Sequence, residues 1–497
     1  MKKLLSKIFI AGALLVSTSC ADDYLDTLPT DAVSEAAVFT TTQNAMTALN
    51  GIHRMMFIRF DSQGQPAEGG VMIMREVLGD DVVMTGTANG WFVAMSRWLR
   101  HNNDSHSDVR FVWRFYYKVI GNANMIIANI DAADGPQSEK DEIKGQALAY
   151  RAWAHFNLVQ LFAKRYEAGG DNSNLGVPIV TEPITEGGPR NTVEEVYAQI
   201  NSDLDTAIGL LTTGRNAKSH LNINVAKGIK ARVALTQGNY SLAAQMAKEA
   251  QEGYSFMSTE QLYEGFNNVD NPEWIWGSEQ VDDQQTFFAS FFAYMSLNFS
   301  STNIRGNPKA INSLLYDMIP DTDARKGLWD PNASDPELRD PFIDEMTLGS
   351  FSKVDYMNRK FIAQGNASSV GDVPYMRVAE MYLIEAEALA RSGNDAEAAQ
   401  VLFDLVSARD SAYTLSTNTG DALIEEIMIQ RRIELWGEGF RFYDLKRLNL
   451  PLDRTGANHV DNVINSKYTE EAGTNDWQWK IPIDELNAND QLVQNPS

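Results

Sequence analysis

The chain reads as mostly α-helical, a scaffold of repeated helix pairs interrupted by long irregular insertions. Three observations predict this. Within residues 141–163, apolar positions recur at Ile143, Ala147, Tyr150, Ala154, Leu158 and Leu161, steps of three and four that place one apolar stripe on a helix. A helix, Gly-Asn turn, helix pattern occurs twice, around Gly238-Asn239 and around Gly393-Asn394. Residues 61–108 and 253–372 are instead rich in Gly, Asn, Asp, Pro and aromatics with weak periodicity, which predicts loops with short elements.

Taken from the start, Lys2, Lys3 and Lys7 precede an apolar run at residues 8–16, and the small residues Ser17, Thr18 and Ser19 follow. This predicts a secretory signal over residues 1–19. The run is far shorter than the roughly 20 residues a spanning helix needs. Cys20 comes next and is the only cysteine in 497 residues. The arrangement resembles a bacterial lipoprotein, in which that cysteine is acylated and becomes the mature N-terminus; each buried methylene of such a chain contributes about 0.8 kcal/mol. Ser17 departs from the Leu usual three residues before the cysteine. A lone cysteine excludes an intrachain disulfide and a cysteine-based zinc site.

Residues 20–497 show no linker and are expected to form a single unit. Helices are predicted over 109–130, 141–163, 192–211, 225–237, 242–250, 375–391, 396–409 and 422–436. Thr192 with Glu195 three residues on is a capping-box pattern. Aligning Gly238 with Gly393 brings Ala231 onto Ala386 and Ala243-Ala244 onto Ala398-Ala399. Small residues at those offsets let antiparallel helices approach closely, and the spacing resembles the tetratricopeptide repeat.

A net charge of −24 repels phosphate backbones and argues against a nucleic-acid partner. H-E-x-x-H, G-x-S-x-G, C-x-x-C and G-x-G-x-x-G are all absent, so no catalytic residue, cofactor or metal ligand is assigned. Asp80-Asp81 and Asp282-Asp283 read as solvated surface charge, and His101 and His106 as surface residues. Aromatics are plentiful. Trp91-Phe92 and Trp98 lie in "NGWFVAMSRWLRHNND", and Phe287-Phe288, Phe291-Phe292, Tyr294 and Phe299 precede Asn303 and Arg305. An aromatic face flanked by amide, carboxylate and guanidinium groups suits a sugar ring, which stacks its C–H face while its hydroxyls find donors and acceptors. The Phe cluster is read as core. The candidate glycan contacts are Trp91 and Trp98 as platform, with Phe92, Arg75, Asn102, Asn103 and Arg305 around them. In "QRRIELWGEGFRFYDLKR" (430–447), charges of alternating sign predict an ion-paired structural helix, with Gly437 and Gly439 permitting a tight bend.

Several motifs occur in one order: "DYLDTLP" (23–29), "QALAYRAWAHFNLVQLF" (146–162), "GVPIV" (176–180), "RVAEMYLIEAEALARSGN" (377–394), the 430–447 motif and "WKIPIDELNANDQLVQNP" (479–496). Together they resemble the SusD/RagB family of Bacteroidetes outer-membrane lipoproteins, with Gln430 where the family more often has Glu. The resemblance implies four tetratricopeptide-like helix pairs. It also implies a surface-exposed protein, tethered to outer-membrane lipid through acylated Cys20, that binds an oligosaccharide without catalysis and delivers it to a SusC-type TonB-dependent transporter. The alternative is a surface scaffold that binds peptide or protein.

Overall fold

The computed structural model describes residues 39–497 except 185, 281–286 and 347; residues 1–19, expected as a signal segment, Cys20 and Asp282-Asp283 lie outside the described residues. Helices form the frame. The chain enters through α1 (Thr42–Met55) and α2 (Ala67–Val77), then α3 (Ser107–Asn129) and α4 (Gln137–Phe162), which pack on each other. Helix α5 (Val193–Leu210) lies along α4 and leads to the hairpin of α6 (Ile223–Thr236) and α7 (Tyr240–Ala250). After the second insertion come α8 (Val378–Arg391), α9 (Asp395–Val406), α10 (Asp421–Glu434) and α11 (Arg441–Arg447). Every predicted helix is present with its ends moved by a few residues, and residues 375–377, expected to open a helix, lie in a strand instead.

The local signals behave as their chemistry dictates. Thr192 accepts from the Glu195 N–H while the Glu195 carboxylate accepts from the Thr192 N–H, closing the capping box of α5. Gly238 (φ 71°) and Gly393 (φ 78°) take the left-handed conformation that ends α6 and α8. Ala231, Ala243, Ala386 and Ala398 are fully buried, and α7 packs against α8, so the two hairpins stack as repeat units do.

Helix α2 corrects the reading of 61–108 as loop. Gly69 and Gly70 lower its intrinsic helix propensity by about 1 kcal/mol each relative to Ala. Packing demands them: a Cβ at Gly69 would stand 3.1 Å from the Phe291 Cβ, and one at Gly70 would stand 2.8 Å from the Pro66 Cδ. All eleven residues of α2 are buried.

The insertions are stitched together by short strands. An antiparallel sheet takes β1 (Val82–Met84) from the first insertion, and β3 (Lys309–Ile311), β4 (Trp329–Asp330) and β5 (Met357–Asn358) from the second, in the order β1-β3-β5-β4. A second pair, β2 (Trp274–Gly277) with β6 (Pro374–Arg377), fastens the second insertion to the start of α8. The loops that follow β1 and precede β3 thereby meet at one place.

The 430–447 motif is structural, as its charges predict. Gly437 (φ 80°) and Gly439 (φ 90°) turn the chain between α10 and α11. Glu76 of α2 caps that turn, accepting from the Gly439 and Phe440 N–H groups at 2.6 and 2.8 Å. Burial pushes its carboxyl up to about 7, with the Asp81 charge adding and those N–H groups opposing. Asp80 pairs with Arg441 and Asp81 with Arg432, each at 2.6 Å and each aspartate nearly inaccessible, which corrects their reading as solvated charge. Beneath them Glu273, Glu434 and Glu438 interlock with Arg377, Arg409, Arg325 and Lys360, all buried.

Candidate functional site

Aromatic side chains sort sharply by exposure. Nine of the ten tryptophans are buried, and Trp91 alone is half-buried. Trp98, expected in the platform, is 3% exposed. Its Nε1–H donates to the Leu78 carbonyl at 3.0 Å, its ring meets Trp477 edge-on at 4.8 Å, and the Lys467 ammonium lies over it at 5.3 Å. No face is left for a ligand, and Trp98 instead ties the end of α2 to the C-terminal segment. Phe92 is buried edge-on against Tyr294 at 5.0 Å. Arg75 is interior, donating to Glu68, Asn157 and Tyr443. It lines a cavity of about 60 Å³ between α2, α4 and α11, whose other charged walls, such as Arg232 with Glu380 and Arg431 with Asp444, are already paired.

Asn102 and Asn103 have local duties. The Asn102 amide donates to the Trp98 carbonyl, and the exposed Asn103 side chain accepts from the Ser105 N–H. His101, expected at the surface, is fully buried. Burial lowers its imidazole to about 3, while its bond to the Asp476 carbonyl at 3.0 Å opposes the shift. His106 is half-buried.

Trp91 and Arg305 are brought to one region by the strand pairing. The N–H groups of Thr85 and Gly86 donate to the Asn307 side chain at 3.0 and 3.2 Å. The Tyr294 hydroxyl donates to the Gln63 carbonyl at 2.8 Å, and the Trp91 ring packs on Gly64. From the far side, the Ser300 N–H donates to the Asn366 carbonyl at 2.8 Å and the Ser369 hydroxyl to the Phe287 carbonyl. Loops 59–66, 85–92, 287–307 and 361–370 therefore form one connected end.

Two residues there were misread from sequence. Phe291, Phe292, Tyr294 and Phe299 are core, as expected, but Phe287 and Phe288 are 45% and 41% exposed. Their rings meet edge-on at 4.6 Å and rest on Phe299 at 5.8 and 5.7 Å. Among the described residues they are the most exposed aromatics. The sequence signal that separates them from the other Phe residues is weak, since all sit in one apolar run.

Polar groups beside this patch are unsatisfied. Ser301 and Asn303 are each 4% exposed, yet the Ser301 hydroxyl, both ends of the Asn303 amide and the Nε–H of Arg305 have no hydrogen-bond partner among the described residues. The large majority of buried side-chain polar groups are normally paired, because an unpaired one costs about 1–3 kcal/mol. The backbone is strained here as well: Ala88 (φ 38°), Phe92 (φ 64°) and Phe287 (φ 49°) take left-handed conformations that cost about 1–2 kcal/mol each for residues other than glycine. Exposed rings, idle donors and acceptors, and strained loops together suit a ligand with an apolar face and many hydroxyls. Among the described residues no group of three His, Cys, Asp or Glu could hold a metal, and no helix is long and apolar enough to cross a membrane.

The comparisons with known proteins agree with the helical frame. A family model described as the SusD family matches residues 345–497, and one described as starch-binding, associating with outer membrane, matches residues 23–235. SusD-like protein P2 of Formosa agariphila is 25% identical over 100% of this chain and 99% of its own. A SusD-like carbohydrate-binding protein from Bacteroides vulgatus shares the fold with a TM-score of 0.78 at 29% identity, over 92% of this chain and 98% of that one. Surface glycan-binding protein A from Bacteroides fluxus has a TM-score of 0.71 at 19% identity, covering 92% of this chain and 100% of that one. With two non-overlapping family models spanning most of its length and the SusD fold throughout, the chain belongs to the SusD/RagB family.

Proposed function

We propose that this protein is a cell-surface glycan-binding lipoprotein, anchored to the outer membrane through Cys20, that captures an oligosaccharide and passes it to a SusC-type TonB-dependent transporter. It acts by binding and not by catalysis. Family membership supports the reading, as do relatives whose names state carbohydrate or glycan binding. The observation that carries it is the exposure of the Phe287-Phe288 pair at the same end as half-buried Trp91, in a chain that buries its other nine tryptophans. Sugar rings stack on these three side chains, and Ser301, Asn303 and Arg305 take hydroxyls or substituents at their edge. Arg75, Phe92 and Trp98 support the loops from below, and Asn102 and Asn103 hold the turn after Trp98.

Affinity is modest, because hydrogen bonds exchanged with water return little net free energy. A glycan-array screen of the mature chain, combined with affinity isolation from its own membranes, tests the reading. The expected result is binding of at least one oligosaccharide class and co-isolation of a TonB-dependent barrel. A protein that binds no glycan while retaining a peptide or protein ligand would overturn it.

A further inference from the structure

We propose that the oligosaccharide taken by this site is anionic, bearing uronate carboxylates or sulfate esters, and that Arg305 is the residue that reads the charge. The proposal rests on the glycan-binding reading above and names the substrate class of the same site.

Its first support is where acidic residues are missing. The chain has 66 Asp and Glu against 42 Lys and Arg, yet residues 82–103, 284–316 and 356–371 contain no acidic residue at all. Stretches of these lengths would carry several at the chain's average density. Their described residues are those that the structure gathers: β1 pairs with β3, β3 with β5, Thr85 and Gly86 with Asn307, and Ser300 with Asn366; of the loops at this end only 59–66 brings a carboxylate, that of exposed Asp61. The second of these stretches starts directly after Asp282-Asp283, which lie outside the described residues. A site for neutral sugars has no reason to avoid carboxylates, since Asp and Glu are good acceptors for sugar hydroxyls. A site for a polyanion does, because the long-range field of a chain of net charge −24 opposes the ligand's approach.

The second support is unpaired positive charge. Some half-buried arginines elsewhere sit on carboxylates, as Arg232 on Glu380 and Arg359 on Asp340 do, while Arg97 and Arg215 spend their N–H groups on backbone carbonyls. Arg305 is half-buried, makes no ion pair among the described residues, and leaves its Nε–H unpartnered. Four residues on, Lys309 is 3% exposed, and its ammonium donates to the Asn307 carbonyl at 2.7 Å with no ion pair among the described residues; burial draws it down to about 7. One cation with no ion-pair partner among the described residues, Arg305, beside unsatisfied Ser301 and Asn303, matches an anionic substituent on a hydroxylated ring.

The test measures calorimetric affinities of the full mature chain for three probe classes: oligogalacturonates (carboxylate), sulfated galactan oligosaccharides (sulfate ester), and neutral xylo- and β-gluco-oligosaccharides. One acidic class is expected to bind at least ten-fold tighter than the neutral ones and to weaken as salt rises from about 50 to about 500 mM. Arg305→Ala is expected to lose about ten-fold, and Arg305→Lys to lose less, with thermal melting unchanged. Arg305→Gln replaces the alanine variant if that one fails to fold. Neutral glycans binding as tightly as acidic ones, or an Arg305 variant with undiminished affinity while Trp91→Ala abolishes binding, overturns the anionic assignment and leaves the glycan site standing. Binding of none of the probes and of no other glycan overturns both.

Discussion

Glu434→Gln tests the physical account of the C-terminal motif most severely. Glu434 is 2% exposed; its Oε1 lies 3.0 Å from Arg377 and 3.2 Å from Arg409, and its Oε2 lies 3.2 Å from Arg325. Around it Arg325, Arg377, Arg409 and Lys360 face Asp323, Glu273, Glu434 and Glu438, four charges of each sign. Burial alone would raise the Glu434 carboxyl, but Arg409, Arg377 and Arg325 outweigh it and hold it well below the usual carboxylate range, so it is ionised throughout the neutral region. An amide keeps the shape and leaves one net positive charge in the core. Breaking a buried pair in this way costs about 3–5 kcal/mol. Urea unfolding should show that loss, nearly constant between pH 6 and 8. Replacing Arg409→Met together with Glu434→Leu removes one charge of each sign, and the double variant should recover about 1–3 kcal/mol relative to the sum of the single changes. A loss below about 1 kcal/mol for Glu434→Gln, or strict additivity in the cycle, would show that the network is hydrated and that its burial does not govern stability.

Three further outcomes follow from named contacts. Gly437→Ala places a Cβ at φ 80° and 2.6 Å from the Phe361 ring, so it should destabilise by about 2 kcal/mol or more in urea unfolding; an unchanged melting point would refute the strain. The folded state keeps His101 neutral down to about 3, whereas the unfolded chain protonates it near 6.5. Its contribution is fully present above pH 6.5 and is lost as pH falls toward 3; His101→Gln should therefore flatten stability against pH by about 1.4 kcal/mol per unit between about pH 6 and 4, and an identical slope would contradict the burial. Trp98→Ala should cost about 3–5 kcal/mol of stability through its cavity and the lost bond to Leu78, while folded protein retains its glycan affinity. Loss of binding without loss of stability would return Trp98 to the platform.

How much was legible depended on whether the signal was local. The helix stripes, the capping box at Thr192 and the Gly-Asn turns are set by residues within one or two turns, and each is present. The ion-paired character of 430–447 was legible from its charges. Its partners were not, because Glu273, Arg377 and Arg409 come from separate segments that only tertiary packing assembles. The same non-local cause buried Asp80-Asp81 against Arg441 and Arg432, made a helix of a segment containing Gly69-Gly70, and sank Trp98 and His101 beneath the C-terminal segment. Of the candidate site, Trp91 and Arg305 were found by residue type and setting. Phe287 and Phe288 were not, since an aromatic run does not state which of its rings the fold leaves outside.

The central claim is that Trp91 forms the sugar platform. The most direct measurement is the Kd of Trp91→Ala for whichever oligosaccharide the natural chain binds, read by titration calorimetry alongside thermal melting. Covering the part of the indole that the fold leaves open contributes about 1.5–2 kcal/mol. The account predicts a ten- to thirty-fold weaker Kd, by about 1.4–2 kcal/mol, with melting essentially unchanged. A Kd within about two-fold of the natural chain's, for a folded variant, would contradict it.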